Sequence, residues 1–161
     1  MAFIGVFFDE KLYMMIKNYK WLSQKNNVIL IKESNIENMR NITFETVIIS
    51  NKIKYNETVR KILENATYLL VNADSKIDFQ IFIGLDLSII TYGFNPKATV
   101  TVSSSESKKL LLCIQRNIIT VDNIIIEPQE IFVNLSGKNN VSENIAISTL
   151  DILYSNIKIC I

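Results

Sequence analysis

The 161 residues carry 17 Lys and Arg against 16 Asp and Glu, are 48% hydrophobic, and include no histidine. A net charge of +1 leaves no electrostatic footprint for nucleic acid or an acidic membrane surface. The lack of imidazole removes the commonest general base and every Ser-His or Cys-His dyad, while the hydrophobic fraction supports one packed domain and not a disordered chain.

The first apolar run, "FIGVFFD" (3–9), reads as a buried strand ending in acidic residues. It has no basic leader and no small-residue cleavage site, so no secretory signal is expected and the protein is read as cytoplasmic. Asn-x-Ser/Thr triplets at Asn41, Asn56, Asn65, Asn134 and Asn140 are then chance matches in an Asn-rich chain. No segment approaches the roughly twenty apolar residues of a membrane span. From 10 to 24, Leu12, Met15, Ile16, Tyr19 and Leu22 recur at helical spacing and predict one amphipathic helix.

"NVILIK" (27–32) is a second strand, and 34–41 a short helix or turn with Ser34 as its cap. "ETVIISN" (45–51) is a third strand. "NETVRKILENA" (56–66) is a helix capped by Asn56, and "TYLLVNAD" (67–74) is a fourth strand. Strands alternating with helices imply parallel pairing through crossovers, and unbroken apolar runs fit strands covered on both faces.

After Asp74 the rhythm changes. A short strand at 87–95 is followed by strand-rich segments at 98–106, 108–122 and 124–136 with no room for helices, and these three predict an antiparallel unit with a tight turn at "VDNI" (121–124). Helical spacing returns over 139–156 through Val141, Ile145, Leu150 and Leu153. The fold class is therefore α/β: a mostly parallel, Rossmann-like sheet flanked by helices, with a small antiparallel three-stranded unit before the C-terminal helix. One domain is expected over 1–161, with a parallel part (1–86), a strand-rich part (87–136) and a closing helix (137–161).

Three motifs come in a distinctive order. A strand ends in "VNADS" (71–75), the next in "IITYGFN" (89–95), and three antiparallel strands then lead into "LSGKNNVSENIAIS" (135–148). This resembles the closing half of the central ATPase domain of the Mur ligases, the ATP-dependent amide ligases of peptidoglycan synthesis, and of folylpolyglutamate synthetases. In that family the corresponding motifs are Asn-Ala-Asp, Thr-x-Gly and a His-Asn-x-x-Asn helix.

The departures from the family are specific. Nothing like the GxxGKT loop that cradles phosphates occurs, and "FIGVFFDEK" stands where it would be. Asn139 replaces the family His, Asn140 matches the first Asn, and Glu143 replaces the second. No counterpart of the ligase C-terminal domain follows within the 161 residues. The resemblance thus implies a degenerate domain without ATP chemistry.

For ligand contacts, the candidates are Asn72 and Asp74 at the end of a central strand, with Lys138, Asn139 and Asn140 at the turn into the last helix. Turn-capping and N-capping are the structural alternatives for the same residues. Gly93 and Asn95 read as turn residues. Asp9 and Glu10 resemble the acidic pair of receiver domains, but the third strand ends in Ser50 and Asn51 where a phosphoacceptor Asp is required. Glu127 and Glu130 flank Pro128 as edge-strand features.

Cys113 and Cys160 are expected to be buried free thiols, and no metal ligand set or cofactor is predicted. No catalytic residue is assigned. The expected role is a protein-interaction module, as a homo-oligomer or beside a protein partner, with no nucleic acid and no membrane. A sensor of a nucleotide or anionic metabolite, or one subunit of a split amide ligase, are the alternatives.

Overall fold

The structure, a computed structural model, describes residues 2–135 and 141–157. The chain forms two compact units, Met1–Ile89 and Ile90–Ile161. The first unit contains β1 (Ala2–Phe7), α1 (Glu10–Asn18), α2 (Lys20–Lys25), β2 (Asn26–Ile31), β3 (Phe44–Ile49), α3 (Glu57–Glu64) and β4 (Ala66–Asn72). Short 3-10 turns cover Ile36–Met39 and Phe79–Phe82. β1 pairs in parallel with both β2 and β3, and β3 pairs in parallel with β4, which places the strands in the order β2-β1-β3-β4.

The apolar runs sit on both faces of these strands. Phe7, Val47, Ile49, Leu69 and Val71 pack in one cluster with Val59, Ile62 and Leu63 of α3. Strand side chains alternate, so Ile4, Val6, Ile48 and Leu70 point the other way, and they are equally inaccessible. Leu12, Ile16 and Leu22, from α1 and α2, are also fully buried and lie outside the α3 cluster. Two-sided burial explains why strands here show continuous hydrophobicity instead of alternation.

The single helix expected over 10–24 is two helices. Tyr19 adopts an extended conformation (φ −81°, ψ 100°) between α1 and α2. Asn18, Tyr19 and Trp21 are weak helix formers, and the break turns Leu22 into the core just before the chain enters β2. Asn56 caps α3 as expected, its Oδ1 accepting from the Val59 N–H at 2.9 Å. The N-cap position falls at Asn35 and not at Ser34, and it makes no side-chain capping bond: Asn35 Oδ1 accepts from the Lys32 N–H and its amide donates to the Leu30 carbonyl, tying the turn back to the end of β2.

The second unit takes up the chain within β5 (Ser88–Tyr92) and continues with β6 (Val100–Ser105), β7 (Lys109–Ile114), β8 (Ile118–Ile119), β9 (Ile125–Ile126), β10 (Gln129–Asn134) and α4 (Val141–Leu153). β5 and β6 are parallel, whereas β6, β7 and β10 form the expected three-stranded antiparallel unit. β8 and β9 form a separate hairpin. Its turn falls at the expected "VDNI", with Asn123 in the left-handed region at φ 59°.

α4 is the helix expected from the spacing of Val141, Ile145, Leu150 and Leu153, but its burial extends far beyond those four positions. From Asn144 to Leu153 every residue is buried, so the helix is covered on all sides. One buried polar member bonds back to the helix itself: the Thr149 hydroxyl donates to the Ile145 carbonyl at 2.7 Å. Among the described residues no helix is long and apolar enough to cross a membrane.

Gly5 marks the tightest packing of the first unit. A Cβ there would lie 2.9 Å from Ile31 Cδ1 and 3.0 Å from Phe44 Cε1. Gly5→Val is expected to destabilise the fold by about 1–3 kcal/mol through overpacking, with Gly5→Ala at the lower end because the Ile31 methyl can yield; urea unfolding measures both.

Burial, reinforced by the negative charge of Glu45, raises the Tyr68 phenol above its usual pKa. The unfolded phenol ionises first, so full stability holds below about pH 10 and declines as the pH rises toward the folded-state value. Tyr68→Phe should flatten that alkaline decline in urea melts between about pH 9 and 11.

Candidate functional site

β1 has β2 on one side and β3 on the other, so the chain reverses its direction of travel across the strands at β1. In open α/β sheets the crevice at the carboxyl ends of such strands is where ligands bind. Here that edge carries Phe8 and Asp9 after β1, and Ser50 and Asn51 after β3. Asn72 ends β4, whose Val71 pairs with Ile49.

Asp9 ties the crevice together. Its Oδ1 accepts the Leu12 N–H at 2.9 Å as the N-cap of α1. Its Oδ2 accepts a short bond from the Ser50 hydroxyl, 2.5 Å, and a longer one from the Asn51 amide, 3.5 Å. Ser50 is only 6% exposed, so this hydroxyl has been drawn out of water and is held by the carboxylate. With donors on both oxygens, the carboxylate acts as a clasp between β1 and β3.

The same geometry fills the amino end of α1. Only Phe8 and Asp9 separate β1 from α1, and the helix N-terminus is occupied by the chain's own carboxylate. A phosphate-cradling loop offers unoccupied backbone N–H groups at that point. Asp9 places a negative charge there instead.

Phe8 turns the corner in the left-handed region at φ 51°, an uncommon conformation for an aromatic residue, while its N–H donates to the Ile31 carbonyl. Its ring stays partly exposed beside Phe7, with centroids 5.7 Å apart. Phe8, Leu30, Glu10 and Lys32 line an open cleft of about 240 Å³. Glu10 and Lys32 approach to 3.6 Å, a solvated pair that adds little stability.

Asn72 and Asp74 are brought together as turn formers. Asn72 Oδ1 accepts the Asp74 N–H at 2.9 Å, and the Asn72 carbonyl accepts from the Ser75 hydroxyl at 2.7 Å. Lys138, Asn139 and Asn140 lie outside the described residues. Gly93 (φ 137°) and Asn95 shape the turn between β5 and β6, where Asn95 Oδ1 accepts the Lys97 N–H. Gln115 and Arg116 fasten that turn by donating to the carbonyls of Pro96, Ala98 and Lys97.

Glu130 lies on β10, the outer strand among those described in the second unit, and accepts from the Ser103 hydroxyl at 2.6 Å. Cys113 is a free thiol, but half-buried on β7 where full burial was expected; its strand neighbours are the polar Thr101 and Glu130. Cys160 lies outside the described residues.

The Asp9–Ser50 contact joins residues 41 apart. Both positions are legible in the sequence as strand ends, where Ser50 stands in place of a receiver's phosphoacceptor Asp. The order β2-β1-β3 is what makes them neighbours. No protein-family model matches the chain, and no curated protein matches it in sequence.

Asp9→Ala removes the α1 cap and leaves the Ser50 hydroxyl buried without its acceptor, so a loss of about 1–3 kcal/mol is expected in denaturant unfolding. Asp9→Asn, which keeps the capping oxygen, should lose less.

Proposed function

We propose that the chain is a degenerate, Mur-ligase-like α/β domain that performs no ATP chemistry and serves as a protein-interaction module. The observation that carries this reading is the exposure of large apolar side chains on strands of the second unit. Ile119 and Ile125 on the β8–β9 hairpin are 54% and 56% exposed, and Phe132 on β10 is 72% exposed. Hydrophobic side chains presented on a hairpin and an outer strand are the raw material of protein interfaces.

The connection between β1 and α1 supports the other half of the proposal. Two residues, one of them a capping carboxylate, stand where a Mur-type enzyme requires a glycine-rich loop and a lysine. The motif order from "VNADS" to the last helix supports the family resemblance, and the antiparallel β6-β7-β10 unit has the place in the chain that the resemblance implies.

A second reading is favoured by one feature, the cleft beside Phe8, Leu30, Glu10 and Lys32. It would make the chain a small-molecule sensor whose ligand sits at the carboxyl ends of β1 and β2. The two readings separate in a thermal-shift screen, because a ligand of the folded state raises the melting temperature according to RT ln(1 + [L]/Kd). The interaction module predicts no shift with nucleotides, sugar nucleotides or amino acids, and no ATP turnover. ATPase or amide-ligase activity in the purified chain would overturn it, and a saturable shift would favour the sensor.

A further inference from the structure

We propose that β10 pairs antiparallel with β10 of a second copy of this chain, with Phe132 on the two-fold axis. The proposal rests on the reading of the chain as an interaction module and names its partner. Among the described residues β10 is bonded to β7 on one side and has no strand on the other. Its burial alternates: Gln129, Ile131 and Val133 are half-buried, while Glu130, Phe132 and Asn134 are exposed. A large apolar ring therefore stands in the middle of an unpaired strand edge, a ready template for another strand.

The edge has a definite start, because Pro128 immediately precedes it and has no N–H to offer a ladder. The template is the six residues Gln129–Asn134. Identical strands paired antiparallel around a two-fold axis present the same face of each strand on the same side. Side chains alternate with a period of two, so opposed residues must share parity and the axis must pass through a residue, not between two.

That condition leaves few registers to compare. An axis at Glu130 sets two carboxylates directly opposite each other, which is unfavourable. An axis at Ile131 sets Glu130 against Phe132. An axis at Phe132 pairs the phenyl ring with its own copy, Ile131 with Val133, and Glu130 with Asn134, whose amide can donate to the carboxylate.

The last register satisfies every position: it covers the exposed ring and leaves no like charges opposed. It is available whichever set of β10 residues turns its N–H and C=O outward, since antiparallel partners alternate bonded and non-bonded pairs. Within one copy the Glu130 carboxylate leans across β7 to accept from the Ser103 hydroxyl on β6, so its second oxygen is the one left for the Asn134 amide of the other copy.

A contact of six residues per copy is small, so the dimer is weak and reversible. Sedimentation equilibrium on the full chain between about 10 and 500 μM should show a concentration-dependent monomer–dimer mixture. Phe132→Lys, which opposes two cations at the axis, should weaken association at least tenfold while circular dichroism and the melting curve stay as in the parent.

The register is tested by two exposed variants that leave the core alone. Asn134→Glu opposes Glu130 of the other copy and should weaken the dimer; Asn134→Lys complements it and should tighten the dimer. A monomer throughout the range, an unchanged dissociation constant for Phe132→Lys, or equal effects of the two Asn134 variants would each overturn the proposal. A monomer without ATPase activity removes self-pairing and leaves the module reading intact. ATP turnover removes the module reading whatever the oligomeric state.

Discussion

Burial of β1 on both faces is the constraint on which the first unit depends. β1 forms parallel ladders with β2 and β3 at once, so every backbone polar group along it can be paired only if both neighbours are present and in register. Ile4, Val6 and Phe7 are fully inaccessible, and Gly5 lets Ile31 and Phe44 close over the strand where any side chain would hold them apart. An apolar strand of this kind excludes water on both faces, and its polar chemistry is consequently pushed to the strand ends.

The carboxyl end of β1 is where that chemistry collects. Asp9 caps α1 and holds Ser50, so one carboxylate fixes both the start of the first helix and the spacing of β1 from β3. The abruptness of the turn has a conformational cost, visible in the left-handed Phe8. The same carboxylate that secures the turn makes the helix terminus unwelcoming to phosphate. Stability and the absence of a nucleotide loop have a common origin in a two-residue connection.

The second unit solves a different problem. Three antiparallel strands leave alternate residues facing outward, and α4 is buried on every side. Helical spacing marks the element and most of its extent but not its burial, which takes in the polar Ser148, Thr149 and Asp151 as well. Thr149 satisfies its own hydroxyl by bonding back to Ile145, which allows a polar residue into a dry position. In sequence, Ile131, Phe132 and Val133 of β10 form one apolar run, with nothing to mark Phe132 as the outward residue. Only the strand order makes Phe132 an edge residue with nothing described beside it.

Periodicity and turn chemistry by themselves determined the α/β class, the parallel strands with their buried runs, the antiparallel trio, the Asn56 cap and the "VDNI" turn. These features follow from local rules: the period of the apolar residues, the capping habits of Asn, and the turn preferences of Asx residues. The all-round burial of α4 and the meeting of Asp9 with Ser50 were decided by tertiary structure. Each depends on which surfaces are brought together across tens of residues, and no local pattern records that. Asp9 is legible in the sequence as the acidic end of a strand; its hold on Ser50 required β1 and β3 to be neighbours.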